Sequence, residues 1–254
     1  MRRRVETVLL PLLLGAVVVT AWSLAVRWSG TKIFPAPGKV VAGGLELWRR
    51  GVLLPYMRDS LVRVALGYGA AALLGVPLGM LLGWSPTAAT IVNPVIQLLR
   101  PISPIAWIPV AIVLFGIGNL APIFLVFLGA FFPIVVTAMN GVGAVPRMYV
   151  RAAQNFGRSP ASLLIGVVLP AALPEILTGL RIALGIAWIV VVAAEMIAVD
   201  SGLGYLIIDA RNAGKRYDLV VAGMLLIGLI GLGLDVLVRR VEKLRVLRWG
   251  FRVD

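Results

Sequence analysis

Long apolar stretches alternate with short polar or Pro-rich segments along most of this chain. Five stretches are long enough to cross a bilayer as an α-helix, which requires about 20 residues. They run from about Thr7 to Val26, Ser60 to Leu82, Leu120 to Asn140, Pro174 to Val199 and Leu219 to Val238. The pattern therefore predicts a membrane-spanning helix in each.

A further apolar segment, Ile91 to Gly118, is interrupted by Pro94, Pro101, Pro104 and Pro109. Because each proline lacks an N–H donor and clashes with the preceding turn, this segment cannot form one straight helix facing lipid. Broken backbone at membrane depth is tolerated where it is buried in protein or lines a water-filled path. We expect a bent span here, and an all-α, polytopic fold with six transmembrane helices.

Small residues form a stripe along the predicted second span, where Gly75, Gly79 and Gly83 recur at four-residue spacing. Residues four apart lie on one face of a helix, and small residues on that face let another helix approach closely. The stripe predicts a packing face.

The segment from Pro146 to Pro174 predicts two short helices in place of a membrane span. Its first proline suits the start of a helix, and Gly157 suits the left-handed residue that closes one. Ser159 then suits the N-cap of a second helix, which carries the apolar run Leu163 to Leu169. This run is too short to span a bilayer, and we expect the second helix to end at Pro170.

Within this segment the chain reads Arg-Ala-Ala, then Gly after three residues, then Val-x-Leu-Pro after nine. The spacing resembles the EAA loop of the permease subunits of ABC importers, whose pattern is Glu-Ala-Ala, Gly and Ile-x-Leu-Pro. Arg151 stands where the family has Glu, and Val167 stands where it has Ile. In the family this loop docks into a groove on the ATPase subunit. The resemblance assigns ATPase coupling to Arg151, Ala152, Ala153, Gly157, Arg158, Val167, Leu169 and Pro170.

Two other strings are similar to permeases that import nitrate, taurine and aliphatic sulfonates. They are Leu99 to Pro109, and Ala194 to Met196 followed by Ser201 to Leu206. The resemblance implies the type I ABC importer permease fold in a homodimer, with a solute-binding protein outside and a pair of cytoplasmic ATPases that bind ATP and Mg²⁺. It leaves open which solute is carried, and whether the second permease copy is identical.

Composition agrees with a membrane protein and restricts its chemistry. The chain has 254 residues, of which 60% are hydrophobic and 14% charged, and its mean hydropathy is +1.00. It contains no Cys or His, so we expect no metal site, no cofactor and no catalytic residue. No G-x-x-x-x-G-K-[ST] loop is present, so ATP hydrolysis is expected in a separate subunit.

The net charge of +13 is better explained by contact with anionic lipid or an acidic protein partner than by binding of nucleic acid. The basic residues are not interleaved with the aromatic residues that a single-strand binding surface needs.

The distribution of basic residues predicts the topology of one permease domain over residues 1–254. It comprises a first span with an outer interfacial segment (1–58), a core of five spans (59–238) and a basic tail (239–254). Three basic residues in the first tail, three in the 146–174 loop and six in the last tail place these segments in the cytoplasm of a bacterial cell, in the plasma membrane. A cleaved signal peptide is the alternative for the first span.

Residues 40–50 predict an amphipathic helix at the outer interface. The basic residues of the outer segments could attract an anionic solute, or they could simply be solvated.

Four residues are candidates for a translocation path: Arg100, Ser103, Trp107 and Glu195. A cation in the bent span would help an oxyanion through, although it could also snorkel to the headgroups. The carboxylate of Glu195 would repel an anion, so it is also expected to pair with a basic residue or to cap a helix. Asp235 is expected to pair with Arg239, one helical turn away.

Two other classes of protein compete with an ATP-driven importer. An ion-coupled secondary transporter would also use broken helices, but it would need a carboxylate relay at mid-membrane. A membrane-bound enzyme is disfavoured by the missing His and Cys.

Overall fold

The computed structural model describes residues 2–30, 34–212 and 214–242, and these ranges contain helices and no strand. The basic residues expected in the last tail beyond position 242 lie outside the described residues, as does Lys32. The α-helices are α1 (Arg2–Ser29), α2 (Pro37–Arg49), α3 (Leu53–Trp84), α4 (Pro86–Leu99), α5 (Ile108–Phe115), α6 (Leu120–Gly143), α7 (Arg147–Asn155), α8 (Pro160–Leu163), α9 (Leu169–Ala198), α10 (Leu203–Asn212) and α11 (Tyr217–Glu242).

The predicted spans are confirmed within the described ranges. Helices α1, α3, α6 and α11 are long and apolar enough to cross a membrane, as is the helical segment Pro160–Ala198. Helix α4 and the segment Pro104–Phe115 pass the same test as a pair bent by 83°. With this pair counted as one span, the described chain contains six.

The bent span follows from its prolines. Helix α4 ends at Leu99, and a single 3₁₀ turn, Pro104–Trp107, leads into α5. The buried side chains of Ile108 and Ala111 attach α5 to the main core, whereas much of α4 is exposed within the chain. The bend therefore joins one helix packed on the bundle to another that has few contacts within it.

Helices α3 and α6 pack with their backbones in direct contact. A Cβ atom on Gly79 would lie 2.5 Å from the carbonyl oxygen of Val135, and one on Gly83 would lie 2.5 Å from that of Met139. Real Cβ atoms do not approach other atoms this closely, so only glycine fits. The predicted stripe of small residues is a helix-packing face.

The prediction that Pro170 ends the second short helix is wrong. Residues 160–198 form one continuous helical segment, in which a five-residue π-helical turn, Leu164–Val168, immediately precedes α9. A π turn holds an extra residue, which accommodates the missing donor and the ring of a following proline. Leu163, Val168 and Ala172 are buried in one apolar cluster, so packing on both sides of the proline favours a continuous helix.

A second apolar cluster joins the shorter helices. Helix α10, which the sequence analysis did not predict, contributes Leu206 and Ile207, and these pack with Val40 and Leu47 of α2 and with Leu219 of α11. The predicted amphipathic helix is therefore confirmed as α2, and its buried face contacts protein.

We expect Gly79→Ala to lower the free energy of unfolding by about 1–3 kcal/mol, because the added methyl group overpacks the contact between α3 and α6. Gly69→Ala on the same helix is the matched control, since a Cβ there meets nothing within 4 Å. It should be neutral or stabilising by up to about 1 kcal/mol. Thermal unfolding of the purified protein in detergent measures both, and equal stability of the two variants would contradict the packing described.

Candidate functional site

A hairpin follows α6: its first arm is α7, and its second arm is α8, the first turn of the continuous helical segment Pro160–Ala198. Helix α7 ends in a Schellman motif, in which the Gly157 N–H donates to the Gln154 carbonyl (2.9 Å) and the Arg158 N–H donates to the Ala153 carbonyl (3.4 Å). The φ angle of Gly157 is +75°, as the sequence predicts for the residue that closes this helix. The left-handed conformation of Gly157 thus ends α7 and turns the chain into the second arm of the hairpin.

The second arm begins where the sequence predicts. The Ser159 Oγ accepts a hydrogen bond from the Ser162 N–H (3.4 Å), and Pro160 occupies the first turn. This cap gives α8 a defined start directly after the Schellman turn.

The eight residues assigned to this hairpin divide into two groups. Ala153, Val167 and Leu169 are half-buried against the apolar cluster around Leu163 and Val168, and Pro170 is half-buried within the helical segment. These side chains hold the hairpin against the bundle. The other four are exposed: Arg151, Ala152, Gly157 and Arg158.

The exposed surface of the hairpin is cationic. Arg147, Arg151 and Arg158 are exposed, and in the described part of the chain none of them has a hydrogen-bonded or ion-paired partner. A cleft of about 320 Å³ lies beside α7 and is lined by Trp84, Pro86, Arg147, Arg151 and Gln154, among others. Neither α4 nor α7 carries an acidic residue in its first turn, so nothing in these turns offsets the positive ends of the two helices.

The candidate path residues do not all lie together. Arg100 and Ser103 are exposed at the bend between α4 and α5, and Trp107 is half-buried there. Glu195 lies elsewhere and is fully buried, with 0% of its side chain exposed. It therefore does not line an open path in this structure.

Glu195 instead pairs with Arg63, as expected for a carboxylate in need of a basic partner. The Arg63 Nη1 lies 2.7 Å from the Glu195 Oε1. The Glu195 Oε2 accepts hydrogen bonds from the Ser60 hydroxyl (2.8 Å) and the Gly204 N–H (3.0 Å) in the first turn of α10. Glu195 thus both neutralises a buried cation and caps a helix.

The arginine in this pair uses all of its donors. Besides Glu195, the Arg63 guanidinium donates to the Asn119 Oδ1 from Nε (2.9 Å) and Nη2 (2.7 Å). It also donates to the Ser201 carbonyl from Nη1 (2.8 Å) and to the Ser201 Oγ from Nη2 (2.7 Å). The cluster joins α3, α9 and the segments that precede α6 and α10. Sequence reasoning missed Arg63, although an arginine inside an apolar span is a visible signal for a buried partner.

The packing of this cluster explains the two glycines of the Ser-Gly-Leu-Gly string, Gly202 and Gly204. A Cβ on Gly202 would lie 2.5 Å from the Glu195 carboxylate, and Gly202 adopts a φ of +107°. A Cβ on Gly204 would collide with the Val192 carbonyl. Both glycines let the chain fold closely over the buried acid.

A second ion-pair group links α9 to α11. Asp235 pairs with Arg239 (2.8 Å), as predicted, and also with Arg181 of α9 (2.9 Å). The contact to Arg181 spans 54 residues of sequence and was not predicted. Asp235 therefore ties two spans together.

Some of the predicted outer basic residues are neutralised by partners. Arg216 pairs with Glu46 of α2 (2.6 Å) and with Asp218 (2.8 Å), and Arg50 also pairs with Glu46. The hydrogen bond from Arg216 holds the pKa of the Glu46 carboxyl below its ordinary value. Hydrogen bonds to Asp218 and Glu46 raise the pKa of the Arg216 guanidinium. These residues stay charged and hold α2 beside the start of α11.

Comparisons with known proteins agree with this architecture. The family described as "Binding-protein-dependent transport system inner membrane component" matches residues 75–246. The taurine transport system permease protein TauC of Escherichia coli is 38% identical, over 92% of this chain and 87% of its own length. The nitrate import permease protein NrtB of Synechococcus elongatus is 34% identical, over 90% of this chain and 86% of its own length.

A chain of the MetNI methionine ABC transporter, solved in inward-facing conformations, has the same fold. The TM-score is 0.68 at 20% identity, over 79% of this chain and 97% of that chain.

We expect Arg63→Met to lower the free energy of unfolding by about 3–5 kcal/mol, because it leaves the Glu195 carboxylate buried without its cation. The double variant Arg63→Met/Glu195→Met should lose less than the sum of the two single variants. Arg58→Met, an exposed position on the same helix, is the control and should lie within about 0.5 kcal/mol of the wild type. The measurement is denaturant unfolding of the purified protein, and additive single-variant effects would contradict a coupled pair.

Proposed function

Because this chain belongs to the family of binding-protein-dependent transport system inner membrane components, we propose that its α7–α8 hairpin couples a cytoplasmic ATPase to the opening of a translocation path. The chain is a permease subunit of an ABC importer. The observation that carries the proposal is the shape of the hairpin, in which Gly157 and Ser159 fix the turn between the short helix α7 and the start of the helical segment Pro160–Ala198. The coupling residues are those assigned from Arg151 to Pro170.

The packing of the chain supports transmission of movement from the hairpin. The segment Pro160–Ala198 is a single continuous helix, so a displacement of α8 moves α9 directly. Helix α9 packs closely on α6: a Cβ on Gly141 would lie 3.0 Å from the side chain of Glu175, and one on Gly179 would collide with Thr137. The Arg63–Glu195 pair then fastens the other end of α9 to α3. These helices should move as one rigid body, rocking the bundle between inward-open and outward-open states as the ATPases close and separate.

The proposed complex has two permease copies, two ATPases and an external solute-binding protein. Each chain carries one hairpin, so two copies would present two docking surfaces to two ATPases. ATP and Mg²⁺ are bound by those subunits. In this topology the hairpin and both termini face the cytoplasm, and the basic residues Arg147, Arg151 and Arg158 near the membrane agree with the positive-inside rule.

The proposed substrate is a small anionic solute such as an aliphatic sulfonate, nitrate or taurine. The relatives named for taurine and nitrate support this class. Within the chain, Arg100 is exposed at the bend and has no partner among the described residues, so its charge is available to an oxyanion. Ser103 and Trp107, on the same bend, would line the path beside it.

The ion-coupled alternative has no comparable support. Glu195 and Asp235, the two carboxylates considered for a relay, are both held in ion pairs.

We expect Gly157→Val to uncouple ATP hydrolysis from transport, because a β-branched residue is strained at a φ of +75° and the hairpin angle would change. In proteoliposomes containing the permease, its ATPase and the binding protein, the rate of solute uptake should fall at least about tenfold, which corresponds to about 1.4 kcal/mol on the uptake barrier, while ATP hydrolysis continues. Membrane insertion should be unchanged.

Gly51→Val is the matched control, since Gly51 has a similar φ of +69° and its Cβ would also meet nothing within 4 Å, but it lies between α2 and α3, away from the hairpin. If uptake and ATPase stimulation both survive in Gly157→Val, the coupling assignment loses its main support. If no ATPase co-purifies with the wild-type permease, the proposed function itself is wrong.

A further inference from the structure

The hairpin surface is more basic than its surroundings can balance. No Asp or Glu occurs between Asp59 and Glu175, so neither the hairpin nor the chain between residue 60 and the hairpin contains a carboxylate. Arg147 and Arg151 are one turn apart on α7, where like charges repel each other by a few tenths of a kcal/mol. These arginines have no partner among the described residues. The charge is therefore available to a group outside this chain.

The same hairpin carries exposed apolar side chains. Met148 is 68% exposed, Tyr149 is 52% exposed and Phe156 is 88% exposed. Arginine, tyrosine, phenylalanine and methionine are the side chains enriched in protein–protein interfaces. The apolar face of α7, which contains Val150 and Ala153, is already packed against the bundle, so the exposed residues form a separate outward surface.

The hairpin lies where a protein partner outside the membrane can reach it. The segment Pro160–Ala198 has 39 residues, which at 1.5 Å per residue is about 58 Å. A hydrocarbon core is about 30 Å thick. The segment is therefore longer than the core is thick, and part of it lies outside the core. Tyr149 of the hairpin lines one cleft with Glu175, the first charged residue of this segment. Because Glu175 is exposed and an exposed carboxylate is costly in hydrocarbon, the hairpin lies outside the hydrocarbon region, close to the membrane surface.

We propose that the cleft between α7 and the Trp84–Pro86 turn receives a carboxylate side chain of the ATPase subunit, bound by Arg151 together with Arg147. This inference rests on the proposed function and specifies the partner's chemistry. The resembling family has Glu where this chain has Arg151, so the charge at this position is reversed here. The ATPase that serves this permease must present an acidic residue at the cleft, and an ATPase with a basic residue there would be rejected by like-charge repulsion.

Arg151→Lys allows a direct chemical test, because the wild-type chain has no lysine between Lys39 and Lys215. The probe is a zero-length carbodiimide, which joins a lysine amine to a carboxylate that touches it. In the purified permease–ATPase complex, Arg151→Lys should give a cross-link to one Asp or Glu of the ATPase, identified by mass spectrometry of the joined peptides. The wild type and Arg58→Lys, on the opposite face in the proposed topology, should not give it.

Charge reversal provides the second test. Arg151→Glu should weaken binding of the ATPase to the permease at least about tenfold and should reduce the dependence of binding on salt concentration. Reversing the cross-linked carboxylate to lysine in the ATPase should restore binding to Arg151→Glu. Thermal unfolding of Arg151→Glu checks that the exposed substitution leaves the permease folded.

The outcomes separate the possible partners. Wild-type binding by Arg151→Glu, or an Arg151→Lys cross-link that is absent while ATPase co-purifies, would overturn the acidic contact and leave the proposed function standing. An effect of Arg151→Glu seen only in nanodiscs containing phosphatidylglycerol would assign the arginines to lipid and overturn the inference. Failure of any ATPase to co-purify with the wild type would overturn both.

Discussion

The fold depends on helices α3, α6 and α9 packing so closely that backbone meets backbone. In a membrane, lipid is as apolar as the side chains it would replace, so association relies on shape complementarity and on polar contacts between helices. The glycines of α3 remove the side chains that would separate it from α6, and Gly141 and Gly179 bring α6 and α9 together in the same way. Once these three helices are locked, little free volume remains for them to move independently.

The buried pair of Arg63 and Glu195 adds a different kind of constraint to the same core. Burying two charges is costly, and their attraction compensates only when the remaining donors and acceptors are satisfied. Here Asn119 and Ser201 accept the remaining hydrogen bonds of the Arg63 guanidinium, while Ser60 and Gly204 donate hydrogen bonds to the Glu195 carboxylate. The pair therefore specifies one arrangement of α3, α9 and α10, since any shift would leave a charge without partners. The glycines of the loop before α10 are needed to form this enclosure.

Local features of this fold were predictable from the sequence, and contacts across long sequence separations were not. Gly157 and Ser159 act within a few residues, so their capping geometry was evident from residue type and spacing. Pro170 was misinterpreted because apolar packing on both sides of it outweighs the local preference of proline to end a helix. Arg63 was missed because its partner lies 132 residues away. Helix α10 was missed because the polar run that begins at Asp209, within its last turn, obscured its short apolar face.

The unbroken helix from residue 160 to residue 198 also acts as a mechanical lever. A rod of about 58 Å that pivots by about 5° at its middle moves each end by about 2.5 Å in opposite directions. A helix can bend at a π-helical turn or at a proline such as Pro174. Leu163, Val168 and Ile176, on both sides of these points, pack in one apolar cluster, which limits bending there. A small rotation of this helix at one surface of the membrane therefore displaces its other end by a distance comparable to the width of an atom.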